Sequence, residues 1–193
     1  MKVGIVKYNA GNVRSVSMAL NRLGVEPVVS DDVEVLDSCD RIIFPGVGEA
    51  STAMKYLNHK NLQKAIPEFK MPFLGVCLGL QLMCRHTEEN DTKCLNIFEL
   101  NVKRFPPEKK IPHMGWNTLS KLKSPLFKGV DEGAYLYFVH SYYADTSIET
   151  IAETDYIVPF SAALQKENFY AMQAHPEKSG AIGQKILENF LSI

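Results

Sequence analysis

Three side chains in this sequence have the types and order of a covalent acyl-transfer site: Cys77, His175 and Glu177. Cys77 lies within Phe73-Leu74-Gly75-Val76-Cys77-Leu78-Gly79-Leu80-Gln81-Leu82-Met83. The apolar run ending at Val76 reads as a strand, and Leu78, Leu82 and Met83 recur at helical spacing, so the period changes at the cysteine itself. Glycines two before and two after it complete the Gly-x-nucleophile-x-Gly pattern of a sharp strand-to-helix turn. Such a turn holds the nucleophile in a strained conformation with its sulfur outward. The helix starting at Leu78 then aims free N–H groups and its positive dipole end at the sulfur, which favours thiolate. The plain structural alternative is a buried core cysteine on an apolar turn.

The base is read from His175-Pro176-Glu177. Pro176 fixes its own φ and biases His175 to an extended conformation. Residues two apart in an extended segment face the same way, which predicts that Glu177 reaches the His175 ring. The carboxylate would keep one ring nitrogen protonated and leave the other to take a thiol proton, the template of nucleophilic catalysis. His59, His86 and His113 sit in polar or loop contexts with no acid at a fixed offset. His140 ends the strand pattern Ala134 to Val139 and reads either as a second catalytic candidate or as a hydrogen-bonded strand-end residue.

The elements that must position these groups alternate. Val3 to Val6 reads as a strand buried on both faces, and Pro27 to Val29 and Arg41 to Phe44 as further short strands, with a helix between the first two that carries Val13, Val16, Ala19, Leu20 and Leu23. Asn12 is placed as its N-cap after the turn Tyr8 to Asn12. Helices are expected over Ala50 to Leu57 and Leu62 to Phe69, and a polar loop over His86 to Asp91. Strands are expected near Thr150 to Thr154, Ile157 to Leu164 and Phe169 to Gln173, and a closing helix over Ala181 to Leu191. This order predicts an open, mostly parallel α/β sheet in one domain spanning residues 1–193. Ligands bind such sheets past the carboxyl ends of the strands. Pro45-Gly46-Val47-Gly48 falls there, after the third strand, and reads as half of an oxyanion hole or as an ordinary glycine turn. The Gly-x-Gly lacks the residues of a phosphate loop. The segment Ile111-Pro112-His113-Met114-Gly115-Trp116-Asn117 reads on composition as a core-packing loop, with an exposed partner anchor as the alternative.

Composition excludes several classes. The 193 residues are 46% hydrophobic and carry a formal net charge of −1, with no basic footprint for nucleic acid. No apolar run approaches the ~18 residues of a membrane span, and the N-terminus reads as a strand rather than a signal peptide. Cys39, Cys77, Cys84 and Cys94 form no Cys-x-x-Cys pair, so no metal site is expected. A reduced, cytoplasmic setting follows.

With the Cys77 turn and the late His175-Pro-Glu177 both in hand, the chain resembles the class I (triad) glutamine amidotransferases. Within that class it is similar to the glutaminase subunits of imidazole glycerol phosphate synthase. The resemblance spans nearly the whole chain. It rests on Tyr8-Asn-Ala-Gly-Asn12, Phe44-Pro-Gly-Val-Gly48, Gly75-Val-Cys-Leu-Gly-Leu-Gln81, Pro112-His-Met-Gly-Trp-Asn117, Phe138-Val-His-Ser-Tyr142 and His175-Pro-Glu-Lys-Ser179. Ala174 stands where Phe is commoner, before the histidine.

The resemblance implies a flavodoxin-like fold with helices on both faces and no cofactor. It implies that Cys77 attacks the side-chain amide of glutamine, with the oxyanion held by backbone N–H groups of Leu78 and the Gly46–Val47 turn. Gly48, Gln81, Ser141 and Tyr142 would hold the substrate. Ammonia would pass to a separate (β/α)8 cyclase subunit, docked against Asn12, Met114 and Trp116. Two rival readings are a paralogous glutaminase subunit serving another amidation, such as surface-sugar synthesis, and a non-catalytic elbow-cysteine module.

Overall fold

Short apolar runs with few polar interruptions bury a strand on both faces, and the first half of the chain supplies three of them, with a fourth, partly exposed strand at the sheet edge. The structure, a computed structural model, describes residues 1–9 and 11–193. Ala10, within the expected 8–12 turn, lies outside the described residues. The chain runs β1 (Val3–Val6), α1 (Val13–Arg22), β2 (Val28–Ser30), α2 (Val33–Asp37), β3 (Arg41–Phe44), α3 (Ala50–His59), α4 (Leu62–Ala65), β4 (Phe73–Val76) and α5 (Leu78–Met83). There follow β5 (Cys84–Thr87), β6 (Thr92–Lys93), β7 (Phe98–Arg104), β8 (His113–Thr118), β9 (Tyr135–His140), β10 (Tyr142–Ala144), β11 (Thr150–Tyr156), β12 (Val158–Lys166), β13 (Phe169–Met172) and α6 (Gly180–Ser192).

The main sheet has the order β11-β12-β13-β4-β3-β1-β2. The strands from β13 to β2 pair in parallel, and β11 and β12 add an antiparallel edge. The parallel part has the flavodoxin-like 2-1-3-4-5 order. Side chains alternate across it. Val3, Ile5, Leu74 and Val76 meet α1 and α6 on one face, while Val6, Phe44 and Phe73 meet α2 and α3 on the other. The mostly parallel α/β sheet with helices on both faces is therefore as the sequence predicts. A smaller sheet, β10-β7-β5-β6, and the strand pair β8–β9 stand beyond the carboxyl ends of the parallel strands and wall the cleft there.

Several local expectations shift. The expected helix at 62–69 is one turn of α-helix, α4, followed by a 3-10 turn at Ile66–Glu68 that contains Pro67. The loop expected at 86–91 begins as strand, since β5 runs to Thr87 beside β7. The core-packing loop expected around Trp116 is strand β8, and it exposes Met114 (61%) and Trp116 (56%). Only alternate residues of a strand face inward. Here His113 does so, and Met114 and Trp116 do not. Helix α2 has no forecast; Asp32 caps it by accepting from the N–H groups of Glu34 and Val35.

The nucleophile turn depends on close approach of α5 to β3. A Cβ on Gly79 would collide with the Phe44 carbonyl, and one on Gly75 would collide with the Met83 sulfur. Gly79→Ala is therefore expected to destabilise the fold by about 1–3 kcal/mol, the range for forced overpacking. Urea unfolding checks it, and an unchanged midpoint would contradict the packing described.

Candidate active site

Between β4 and α5 the chain reverses at one residue, Cys77, with φ 54° and ψ −105°. Non-glycine residues rarely occupy such a conformation, and surrounding structure must hold it. The Cys77 N–H donates to the Met172 carbonyl (2.7 Å), and the Gln81 N–H donates to the Cys77 carbonyl (3.2 Å). The sulfur lies within the cleft wall rather than pointing out to solvent, and Cys77 is 5% exposed. Its thiol faces the Val139 carbonyl at 3.8 Å, and the Gln173 Nε2 donates to it at 3.7 Å. Gln173 is a site residue that the sequence does not reveal, because one buried glutamine after a strand carries no pattern.

His175 follows β13, the strand beside β4, so parallel pairing brings it to the same sheet edge as Cys77. Its Nδ1 lies 2.7 Å from Glu177 Oε1, and both side chains are fully buried. The contact is as expected, but its geometry is different. Pro176–Lys178 is a 3-10 turn rather than an extended run, so the turn, not pleat alternation, folds the acid back onto the ring. With Nδ1 donating to the carboxylate, the bare nitrogen is Nε2, which is buried and has no hydrogen-bond partner. Burial by itself pushes the imidazole toward neutrality. The nearby Cys77 sulfur, and then Glu177, outweigh it and raise the His175 pKa above its ordinary value. A ring that gains a proton beside this sulfur is what a cysteine nucleophile needs.

Asn12 stands at the N-cap of α1, as expected, with its carbonyl accepting from the Val16 N–H (3.2 Å), but its side chain does not do the capping. It adopts a left-handed conformation (φ 82°) and makes no side-chain bond to α1. Its amide instead donates to Glu177 Oε1 in a short hydrogen bond. Its 3.4 Å approach to His175 Nδ1 sets donor against donor, and is therefore packing rather than a second bond. The same β1–α1 turn grips the glycine turn after β3. The Gly11 N–H donates to the Val47 carbonyl (3.1 Å), and the Tyr8 hydroxyl donates to the Pro45 carbonyl (2.5 Å). Tyr8 fills the space a Gly46 side chain would need. One turn thus touches both Glu177 and the Pro45–Gly48 segment.

That segment does not present a free oxyanion hole. The Leu78 N–H donates to the Gly46 carbonyl at 3.2 Å. Because the peptide unit is planar and trans, the Val47 N–H points the opposite way from that carbonyl. The donors expected from Leu78 and from Gly46–Val47 are therefore withheld in this conformation: one is occupied and the other is averted.

The cleft holds about 310 Å³. Gly48, Gln81, Ser141 and Tyr142, the expected substrate residues, all line it beside Cys77. The Gln81 Nε2 is already engaged with the Tyr142 carbonyl (3.2 Å) and Gln173 Oε1 (3.3 Å). The Tyr142 carbonyl also accepts from His140. Glu89 lines the cleft as well and accepts from the Ala50 N–H at 2.8 Å. Burial raises its pKa, so a bound cation would be welcome there. The run Glu88-Glu89-Asn90-Asp91 shows acids but not which one turns inward. Met114 and Trp116 lie on the outward face of β8–β9, where Trp116 meets Tyr137 edge-on. Among the described residues no cluster of His, Cys, Asp or Glu could hold a metal ion, and no helix is long and apolar enough to cross a membrane.

A model of the glutamine amidotransferase class-I family matches residues 6–193. A protein of Bacteroides fragilis (strain YCH46) named imidazole glycerol phosphate synthase subunit HisH is 59% identical over 196 residues, covering 100% of both chains. A protein of the same name from Bacteroides thetaiotaomicron is 58% identical with the same coverage. Among solved structures, PurLQS from Thermotoga maritima superposes with a TM-score of 0.74. It is 19% identical, and the match covers 99% of this chain and 97% of that one, a likeness of fold.

Two buried histidines give the site a pH signature. Burial pushes His113 down to about 4 and His140 down to about 3. As pH falls below their unfolded value of about 6.5, the unfolded chain takes up protons that the folded chain refuses, so stability is lost. His175 acts in the opposite sense, but its contribution is present below its unfolded value and is lost only as pH rises through its raised folded value. The lowered carboxylates Asp31 and Glu49 cost stability only at more acid pH. Glu89, raised, acts with opposite sign near its ordinary value. Between pH 6 and 5 the unfolding free energy is therefore expected to fall by about 1–2 kcal/mol. Urea titrations at the two pH values check this, and a flat profile would show that the rings protonate in the fold.

Proposed function

The chain belongs to the class-I glutamine amidotransferase family, and on that premise we propose that it is the glutaminase subunit of an imidazole glycerol phosphate synthase. The observation that carries this reading is the convergence, at one sheet edge, of a strained cysteine, an imidazole with its far nitrogen bare and a buried carboxylate. Full-length similarity to the HisH subunits of Bacteroides supports the choice within the family. A non-catalytic module would have no use for an oriented base.

The geometry supports the following reaction. His175 Nε2 takes the Cys77 proton, and the sulfur attacks the side-chain amide carbon of glutamine. The carbonyl oxygen becomes an oxyanion. As the C–N bond breaks, the imidazolium returns the proton to the leaving nitrogen, giving ammonia and a γ-glutamyl thioester. Water, deprotonated by the same ring, attacks the thioester; the C–S bond breaks and glutamate leaves. Glu177 holds the ring orientation and stabilises the imidazolium. Glu89 is suited to the substrate's α-ammonium. The backbone at Ser141–Tyr142, with Gly48 and Gln81, borders its other polar end. Ammonia then enters a (β/α)8 cyclase subunit that docks over Asn12, Met114 and Trp116 and makes imidazole glycerol phosphate and an aminoimidazole carboxamide ribonucleotide. Trp and Met exposed together on a strand pair suit such an interface.

The unpaired chain is a poor glutaminase, on this reading, because its oxyanion donors are withheld. Turning the Gly46–Val47 peptide plane removes the carbonyl from the Leu78 N–H and brings in the Val47 N–H. The β1–α1 turn bonds directly to Val47 and Pro45, so a partner pressing on that turn bears on this peptide.

Cys77→Ala is expected to abolish glutamine hydrolysis by the complex while ammonia-dependent synthesis continues, since external ammonia bypasses the thiol. Residual glutaminase activity near the wild-type rate would remove Cys77 from the mechanism. Adding the cyclase with its nucleotide ligand is expected to raise the glutaminase rate of the wild-type chain by on the order of 10²-fold or more, the worth of an oxyanion donor. Full activity of the isolated chain would overturn the switch but leave the triad standing.

A further inference from the structure

His113 and His140 face each other across β8 and β9, and the mechanism above uses neither. They belong to a polar chain whose two ends fix its direction. At one end the Thr118 N–H, which can only donate, meets Asn117 Oδ1 at 2.8 Å. The Asn117 amide nitrogen therefore faces the Asp155 carbonyl (3.0 Å) and His113 Nε2 (3.2 Å). At the other end the Tyr142 carbonyl, which can only accept, lies 2.7 Å from His140 Nδ1. Between them His113 Nδ1 and His140 Nε2 are 3.0 Å apart.

One protonation pattern satisfies every contact. His140 carries its proton on Nδ1, so its bare Nε2 accepts from Nδ1–H of His113, whose bare Nε2 accepts from Asn117. A second proton on either ring would set two donors face to face. The surroundings enforce neutrality. His113 is stacked between Phe138 (5.1 Å) and Tyr156 (4.1 Å), and Phe105 and Phe160 pack around both rings.

The chain ends on a working part of the cleft. The Tyr142 carbonyl that His140 holds is the one that Gln81 Nε2 shares, and Gln81 in turn donates to Gln173, whose amide donates to the Cys77 sulfur. We propose that His140, backed by His113 and Asn117, is a positioning residue for glutamine binding. It locks the Tyr142 carbonyl and thereby aligns Gln81 and Gln173 beside the nucleophile. The proposal rests on the glutaminase reading of the cleft, and it explains the buried histidines as fixed-direction donors rather than as acid–base groups. Such fully satisfied networks fix one arrangement of the groups they join.

The test has two arms. In ¹⁵N NMR of the ring nitrogens at neutral pH, both His113 and His140 are expected as the neutral Nδ1–H tautomer. In glutaminase assays of the complex with the cyclase, His140→Phe is expected to raise the KM for glutamine about 10-fold, the worth of one hydrogen bond, with a smaller loss in kcat. His140→Asn places an amide N–H where Nδ1 was and is expected to recover most of the KM. An Nε2–H tautomer or imidazolium on either ring, an unchanged KM in His140→Phe, or a His140→Asn as impaired as His140→Phe would each overturn the proposal. If His140→Phe does not fold, the tautomers and the KM of His140→Asn against wild type decide. If the wild-type complex hydrolyses no glutamine, the function reading fails and the NMR arm still decides the direction of the chain.

Discussion

The placement of Cys77 depends on one constraint: α5 is pressed against β3 through Gly79, with no side chain between that glycine and the Phe44 carbonyl, and this approach together with the bonds to Met172 and Gln81 holds the positive φ of Cys77. The same contact delivers the chain after Phe44 to Cys77. Gly46 therefore arrives within hydrogen-bond reach of Leu78, the first residue of α5. Cys77 and the glycine turn are not two features that happen to be neighbours. Their separation is set by one helix–strand approach, and a side chain at Gly79 or Gly46 would enlarge it.

The burial of the His175–Glu177 pair carries a cost, because removing charges from water is unfavourable unless partners replace the solvent. The described side chains supply partners for the nearer atoms: Asn12 and the imidazole on Glu177 Oε1, and Glu177 on Nδ1. The far atoms, Nε2 and Oε2, are left without one. On the proposed mechanism the bare Nε2 is the one that exchanges protons with the thiol and with the leaving nitrogen. The loop that carries Asn12 also bonds to the Pro45–Gly48 turn, whose peptide plane on the proposed mechanism governs the oxyanion donors. Glu177 and the Pro45–Gly48 turn therefore share a support, which is a physical route by which a protein docked on that loop would act on both.

Much of this is legible in the sequence, and the failures have identifiable causes. The strand-to-helix turn at Cys77 is readable because glycine spacing and a change of hydrophobic period coincide there. The parallel sheet is readable because its strands are short, apolar and separated by helical patterns. Asn12 is legible as the N-cap position but not as a contact of Glu177, because an asparagine before an amphipathic stretch has the same local signature whether its side chain bonds to the helix or reaches a residue 165 positions away. Trp116 and Met114 resemble core on composition; only the strand alternation that buries His113 turns them outward. The peptide orientation at Gly46–Val47 leaves no trace in residue types, since glycine is compatible with either orientation. Glu89 and Gln173 enter the site through tertiary packing of segments whose local patterns are ordinary.

The central claim is that Cys77 forms the covalent intermediate, with His175 as its base. Acid quenching of the complex during turnover of glutamine, followed by mass spectrometry of the peptide that contains Cys77, tests it most directly. The predicted result is one added γ-glutamyl group on Cys77, released by mild base and absent when His175 is replaced by Asn. A complex that turns over glutamine with no such adduct, or with the adduct on Cys39, Cys84 or Cys94, would contradict it.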